Sequence, residues 1–222
     1  SISWFTPYGR RISDVHGYGP LTTWDILVKS SNVGMAMLGQ KMGNPALHEA
    51  LTSFGFGKRT GIELGGEDPG LVRELSAWSK HSTDSVVQGY ELMVTPLQLA
   101  RAFCAYANGG KLPTVRLVKG VLDADGNVVT SRPPPAFADL PQVVTPETAA
   151  QIRRILADVP LRGTATSIKR FVPGTRQYEV PTWYMWNIFG KTGTAHISEG
   201  RAGYSHNRYN STFLAGAPYE NP

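Results

Sequence analysis

With 222 residues, 41% of them hydrophobic, the chain can fill one large domain or two small ones, and its composition is that of a folded protein rather than a disordered one. No apolar run approaches the roughly 18–20 residues of a membrane span, and a single cysteine excludes an internal disulfide and a cysteine-based metal cluster. The net charge of +5 is scattered, densest at Arg10–Arg11 and Arg153–Arg154, which reads as solvated surface, and no nucleic-acid-binding motif accompanies it.

The opening segment, Ser1 to Gly19, lacks the apolar centre of a signal peptide, so any anchor is expected outside this chain. "LTTWDILVKSSNVGMAMLGQKMG" predicts a short helix, a polar break at Ser30-Ser31-Asn32, and a second helix from Val33. A helix start needs one capping side chain. Three polar residues in a row after Lys29 exceed that need, and polar groups at the junction of two packed helices can line a cleft. A third helix is expected from Asn44 as cap, with Pro45 in its first turn, to a stop at Gly55. "TPLQLARAFCAYANGG" repeats the pattern from Thr95 and stops at Asn108-Gly109-Gly110, with Cys104 expected as a small core residue.

"VRLVKGVLDADGNVVT" predicts a β-hairpin turning at Asp125-Gly126, and the proline-rich "SRPPPAFADLP" an extended connector. The next helix is capped by Thr145 and expected to end at Pro160. The aromatic-rich stretch that follows, as far as Trp186, shows no regular pattern. The chain then reads as strand (Asn187–Ile197), polar loop (Ser198–Asn210) and strand (Ser211–Tyr219), a pair that needs more strands or a helix layer beneath it. No internal repeat is present. His16, His48, His81, His196 and His206 show no ligand spacing, so neither metal nor cofactor is expected.

"NIFGKTGTAHI" sets a lysine, two hydroxyls and a glycine in an otherwise apolar strand, a cluster suited to holding an anion at a sheet edge. Taken singly, Lys191 reads as a charge guarding an edge strand, Gly193 as a bulge, and Asn32 as a cap. Together, S-x-N at Ser30 and Asn32 and K-T-G at Lys191, Thr192 and Gly193 match two of the three signatures of penicillin-recognising serine enzymes. With "DVHGYGPLTTWDILVKSSNVG", "FGFGKRTGIELGGEDPG", "GYELMVTPLQLARAFCAYANGG" and "YNSTFLAGAPYENP", the chain closely resembles the transpeptidase domain of class B penicillin-binding proteins. The resemblance covers most of the sequence and is weakest over Thr164–Trp186. The S-S-N form of the second motif and "GKTGTAHISEGRAGYSHNRYNSTF" resemble the septal, cell-division type.

The resemblance implies an α+β fold of the penicillin-binding-protein/β-lactamase kind, with a helical subdomain over about 20–160 packed on an antiparallel sheet over about 185–220. It also implies a peptidoglycan D,D-transpeptidase, which cleaves D-alanyl-D-alanine stem peptides and passes the acyl group to an amine. Ser30 would relay a proton, Asn32 would bond the substrate amide, and Lys191 with Thr192 and Thr194 would hold the terminal carboxylate. Gly193 would let the substrate lie close to the strand, and the Thr194 N–H would help form an oxyanion hole. The implied partners are stem peptides, β-lactams and division-machinery proteins, at the outer face of the cytoplasmic membrane. The same motifs also serve a D,D-carboxypeptidase or β-lactamase-like hydrolase, and a non-catalytic β-lactam sensor or scaffold.

The third signature, S-x-x-K, is missing; "TSIK" at Thr166–Lys169 has a threonine in the serine's place. In the resembled family the nucleophile helix precedes S-x-N. The expectation is therefore a fragment of a longer protein, unable alone to form an acyl-enzyme.

Overall fold

The computed structural model describes residues 3–166, 170–171, 178–179, 187–200 and 203–222. Most of the irregular stretch before Trp186 therefore lies outside the described residues. The chain opens on a hairpin that was not anticipated, β1 (Ser3–Phe5) against β2 (Arg11–Ser13), in the register Trp4↔Ile12. Helix α1 (Thr23–Lys29) is capped by the Thr22 hydroxyl, and α2 (Asn32–Met42) by that of Ser31, which accepts from the Gly34 N–H at 2.9 Å. The second helix thus begins at Asn32 rather than at Val33.

Helix α3 (Asn44–Ser53) follows after Gly43. Asn44 is not its cap: the helix takes in Asn44 itself, whose side-chain oxygen accepts from the Thr83 hydroxyl. Strand β3 (Leu71–Val72), the short helix α4 (Ser82–Val86) and strand β4 (Leu92–Met93) lead to α5 (Pro96–Ala107), with β3 and β4 paired antiparallel. Thr95 and Gln98 form a capping box on α5, as the Thr-Pro start predicts. Gln98, 2% exposed, also donates to the carbonyls of Lys58 and Pro69, so its burial leaves no amide proton unused.

Cys104 corrects another expectation, since it is exposed. The buried side of α5 carries Gln98, Ala102 and Ala105. Two residues past Ala102 is about 200° around a helix, which turns the thiol outward.

The hairpin of β5 (Gly120–Leu122) and β6 (Val128–Ser131) forms as expected. Its turn is tied by Asp123, whose carboxylate accepts from the backbone of Asp125 and Asn127. Helix α6 (Pro146–Arg162) begins on its Thr145 cap but does not stop at Pro160. Proline so near a C-terminus removes a single ladder bond, and Val159 and Pro160 are both buried, so packing carries the helix on to Arg162. Short strands β7 (Arg170–Phe171) and β8 (Tyr178–Glu179) pair antiparallel.

Strands β9 (Phe189–Ser198) and β10 (Tyr204–Gly216) make the longest ladder, in the register Lys191↔Leu214 and Gly193↔Thr212. The polar segment expected as a loop is largely the first half of β10, with a register shift between Tyr204 and Tyr209. Beneath this ladder lies the helix layer that a two-stranded sheet requires. Leu156, Val159, Ala165 and Phe189 form the buried cluster, with Phe103, Ile152 and Tyr219 packed against it. The Phe103 and Phe189 rings stack with centroids 5.4 Å apart and join α5 to β9.

Candidate active site

The polar break between α1 and α2 divides its labour among three residues. Ser31, 2% exposed, caps α2 and donates to Asp14, whose other carboxylate oxygen accepts from the Val33 N–H at 3.1 Å. Asp14 comes from the loop after β2 and brings negative charge to the positive end of α2. Sequence reasoning missed it, because the contact spans 17 residues and leaves no local pattern. With capping assigned to Ser31 and Asp14, Ser30 and Asn32 are available for other work. Asn32 donates to the Ser13 carbonyl at 3.2 Å and so binds α2 to β2.

Ser30 closes α1 in the left-handed region, at φ 56° and ψ 46°, a conformation that costs a serine about 1 kcal/mol. Its backbone N–H still reaches the Leu27 carbonyl. The hydroxyl is left exposed on the side facing β9, where it accepts a hydrogen bond from Lys191 Nζ at 2.9 Å. The ammonium donates also to the Thr192 carbonyl at 3.0 Å. Burial lowers the Lys191 pKa from 10.5 to about 8.

Thr192 and Thr194 do not point to the same neighbours. The Thr192 hydroxyl lies 2.5 Å from that of Thr164, in the turn after α6, whereas Thr194 is exposed further along the strand. At Gly193 an added Cβ would meet Thr212 Oγ1 at 2.5 Å. A larger residue there would force the Thr212 hydroxyl to turn away, a pressure toward glycine separate from any substrate.

Two helix ends are clamped behind these residues. Lys29 donates to the Arg162 carbonyl, Arg162 pairs with Asp25 and Asp158, and Trp24 donates to Asp158 at 2.8 Å. The Asp25 carboxyl is held below its usual range, chiefly by the Arg162 guanidinium and secondly by the Thr22 hydroxyl. The Lys29 bond joins the C-terminal ends of the two helices, and Trp24 and Asp25 tie the first turn of α1 to the last turns of α6, so that Ser30 and Thr164 come to the same strand.

From Gly193 onward the sheet forms one wall of an open groove of about 1340 Å³. The opposite wall is Gln88–Val94 with Leu71 and Arg73. Arg73 and Glu91 are ion-paired there, and the Tyr90 and Tyr204 rings meet edge to face across it, with centroids 4.8 Å apart.

A helical block on an antiparallel ladder, with S-x-N and K-T-G meeting at the seam, is the arrangement of the penicillin-recognising fold class. The sequence profile of the penicillin-binding protein transpeptidase domain matches residues 4–222. The chain belongs to that family, and its resemblance is to class B members.

It is 34% identical over 210 residues to the penicillin-binding protein PbpB of Mycolicibacterium smegmatis, covering 93% of this chain and 31% of that protein. To the probable peptidoglycan D,D-transpeptidase PbpC of Pseudomonas aeruginosa it is 32% identical over 219 residues, covering 99% and 34%. It is 42% identical over 102 residues to the Escherichia coli peptidoglycan D,D-transpeptidase FtsI, covering 46% of this chain and 17% of that protein. Crystalline penicillin-binding protein 3 of Mycobacterium tuberculosis, complexed with aztreonam, superposes with a TM-score of 0.83 at 33% identity, over 100% of this chain and 48% of that one. The chain thus spans about a third of the length of the PbpB and PbpC proteins it matches. Among the described residues no helix is long and apolar enough to cross a membrane, and no group of three or more metal-ligating side chains occurs.

Proposed function

We propose that this chain builds one wall of the catalytic cleft of a septal-type peptidoglycan D,D-transpeptidase, held by an anchor outside these residues at the outer face of the cytoplasmic membrane. The contact that carries the reading is Lys191 Nζ to Ser30 Oγ at 2.9 Å, which joins the two motifs across the seam. The class of acyl transfer at issue breaks a D-Ala-D-Ala amide and forms a new amide on an acceptor amine. A serine nucleophile from an S-x-x-K segment beyond residues 1–222 would form the intermediate ester.

This chain would supply charge and protons. With a pKa of about 8, Lys191 is roughly nine-tenths cationic at pH 7, enough to attract a terminal carboxylate. Its bond to Ser30 occupies a lone pair on the hydroxyl and leaves the Ser30 proton to donate. When that proton passes to the departing amine, Lys191 can replace it. The lowered pKa makes this second transfer cheap, because neutral Lys191 is already close in energy to the cation. Asn32, Thr192 and Thr194 would bind the peptide, in the roles the resemblance implies. Relatives that are peptidoglycan D,D-transpeptidases by name support the reaction, the S-S-N form of the second motif supports the septal setting, and division-machinery proteins are the partners that setting implies.

The test uses the full-length protein. A fluorescent penicillin should label it covalently, and Lys191→Ala should slow labelling by about 100-fold while the folded state persists, as expected for loss of a charge-assisted contact. A variant that is labelled at the wild-type rate removes Lys191 from this role.

A further inference from the structure

Packing brings the turn after α6 against the K-T-G strand, and it leaves one hydroxyl of that turn facing the strand. Gly163 is pressed against the end of α1: a Cβ there would meet the Val28 carbonyl oxygen at 2.4 Å and Val159 Cα at 2.8 Å. Ala165, 1% exposed, is buried in the α6–β9 core on the other side. Thr164, between these two anchors, stays exposed and places its hydroxyl 2.5 Å from Thr192 Oγ1.

Resting on the transpeptidase reading above, we propose that Thr164 is a positioning residue for the carboxylate-binding edge, donating its proton to Thr192 so that Thr192 presents its own to the substrate. A threonine hydroxyl has one proton and two lone pairs. If Thr192 donated to Thr164, it would turn lone pairs toward an arriving carboxylate and repel it. With Thr164 as donor, one lone pair is filled and the Thr192 O–H is directed outward. A carboxylate selects that direction, and each bond in such a chain strengthens the next. The arrangement parallels Lys191 donating to Ser30 alongside.

The experiment compares second-order acylation of the full-length protein by benzylpenicillin, which carries the carboxylate, and by its methyl ester, which does not. Thr164→Val should slow the acid by about tenfold and the ester by less than about twofold, the loss expected for one hydrogen bond in a chain to a charged group. Thr164→Ser should keep the wild-type rate for both probes. In a Thr192→Val background, Thr164→Val should cost nothing further, since the hydroxyl it serves is gone. Equal slowing of acid and ester, or no slowing of the acid, overturns the role. A wild-type protein that benzylpenicillin does not acylate overturns the transpeptidase reading itself, and this inference with it.

Discussion

Burial takes water away from the Lys191 ammonium, and the Ser30 hydroxyl and Thr192 carbonyl replace it incompletely, so the proton is held loosely. The sign of the stability effect follows. Below pH 8 the side chain is charged in both folded and unfolded chains, and the folded state bears the full desolvation cost. Between about 8 and 10.5 the unfolded chain holds more protons than the folded one, so stability contributed through this residue rises with pH. Lys191→Met should therefore raise the unfolding free energy at pH 7 by about 1 kcal/mol, allowing for screening of a partly buried group, and by less at pH 9.5. Denaturant titrations at the two pH values check this. Carboxylate affinity should move the other way and fall as pH rises through about 8. The lysine proposed to hold the carboxylate is thus a poor one for the fold.

At the scale of elements, the site depends on where two helices stop. α1 ends at Ser30 in a left-handed turn, and α6 ends at Gly163, packed on the Val28 carbonyl. The Gly163 backbone is not in the left-handed region (φ −104°), so its requirement is space rather than conformational freedom. Gly163→Ala should push the helix ends apart and cost about 1–3 kcal/mol, the usual range for overpacking, read as a lower denaturation midpoint. Because Ser30 and Thr164 ride on those ends, the same variant should slow acylation more than its loss of stability alone would. The Thr95–Gln98 capping box is a control remote from that seam: Thr95→Ala should cost about 1 kcal/mol of stability and leave acylation unchanged.

Across the whole molecule, what the sequence disclosed tracks the range of the forces involved. Thr-Pro starts at Thr95 and Thr145 were legible because capping is settled within four residues. The hairpin at Asp125-Gly126 was legible for the same reason. The pairing of Lys191 with Ser30 could be read from motifs, but the third polar residue could not be sorted: that Ser31 caps while Ser30 faces the strand depends on Asp14 arriving from the first hairpin. Thr164 was invisible because its role comes from tertiary packing around Gly163. Polar composition disguised the start of β10, where ladder bonds to β9 outweigh weak strand propensity. Helical phase, not residue type, turned Cys104 outward. That orientation has a practical consequence. The chain's sole thiol stands on the outer side of α5, opposite the side packed on the sheet, so one maleimide dye could be attached without engineering and report on helix–sheet movement as antibiotic enters. Partial burial raises the thiol's pKa, so the coupling would run best in mildly alkaline buffer.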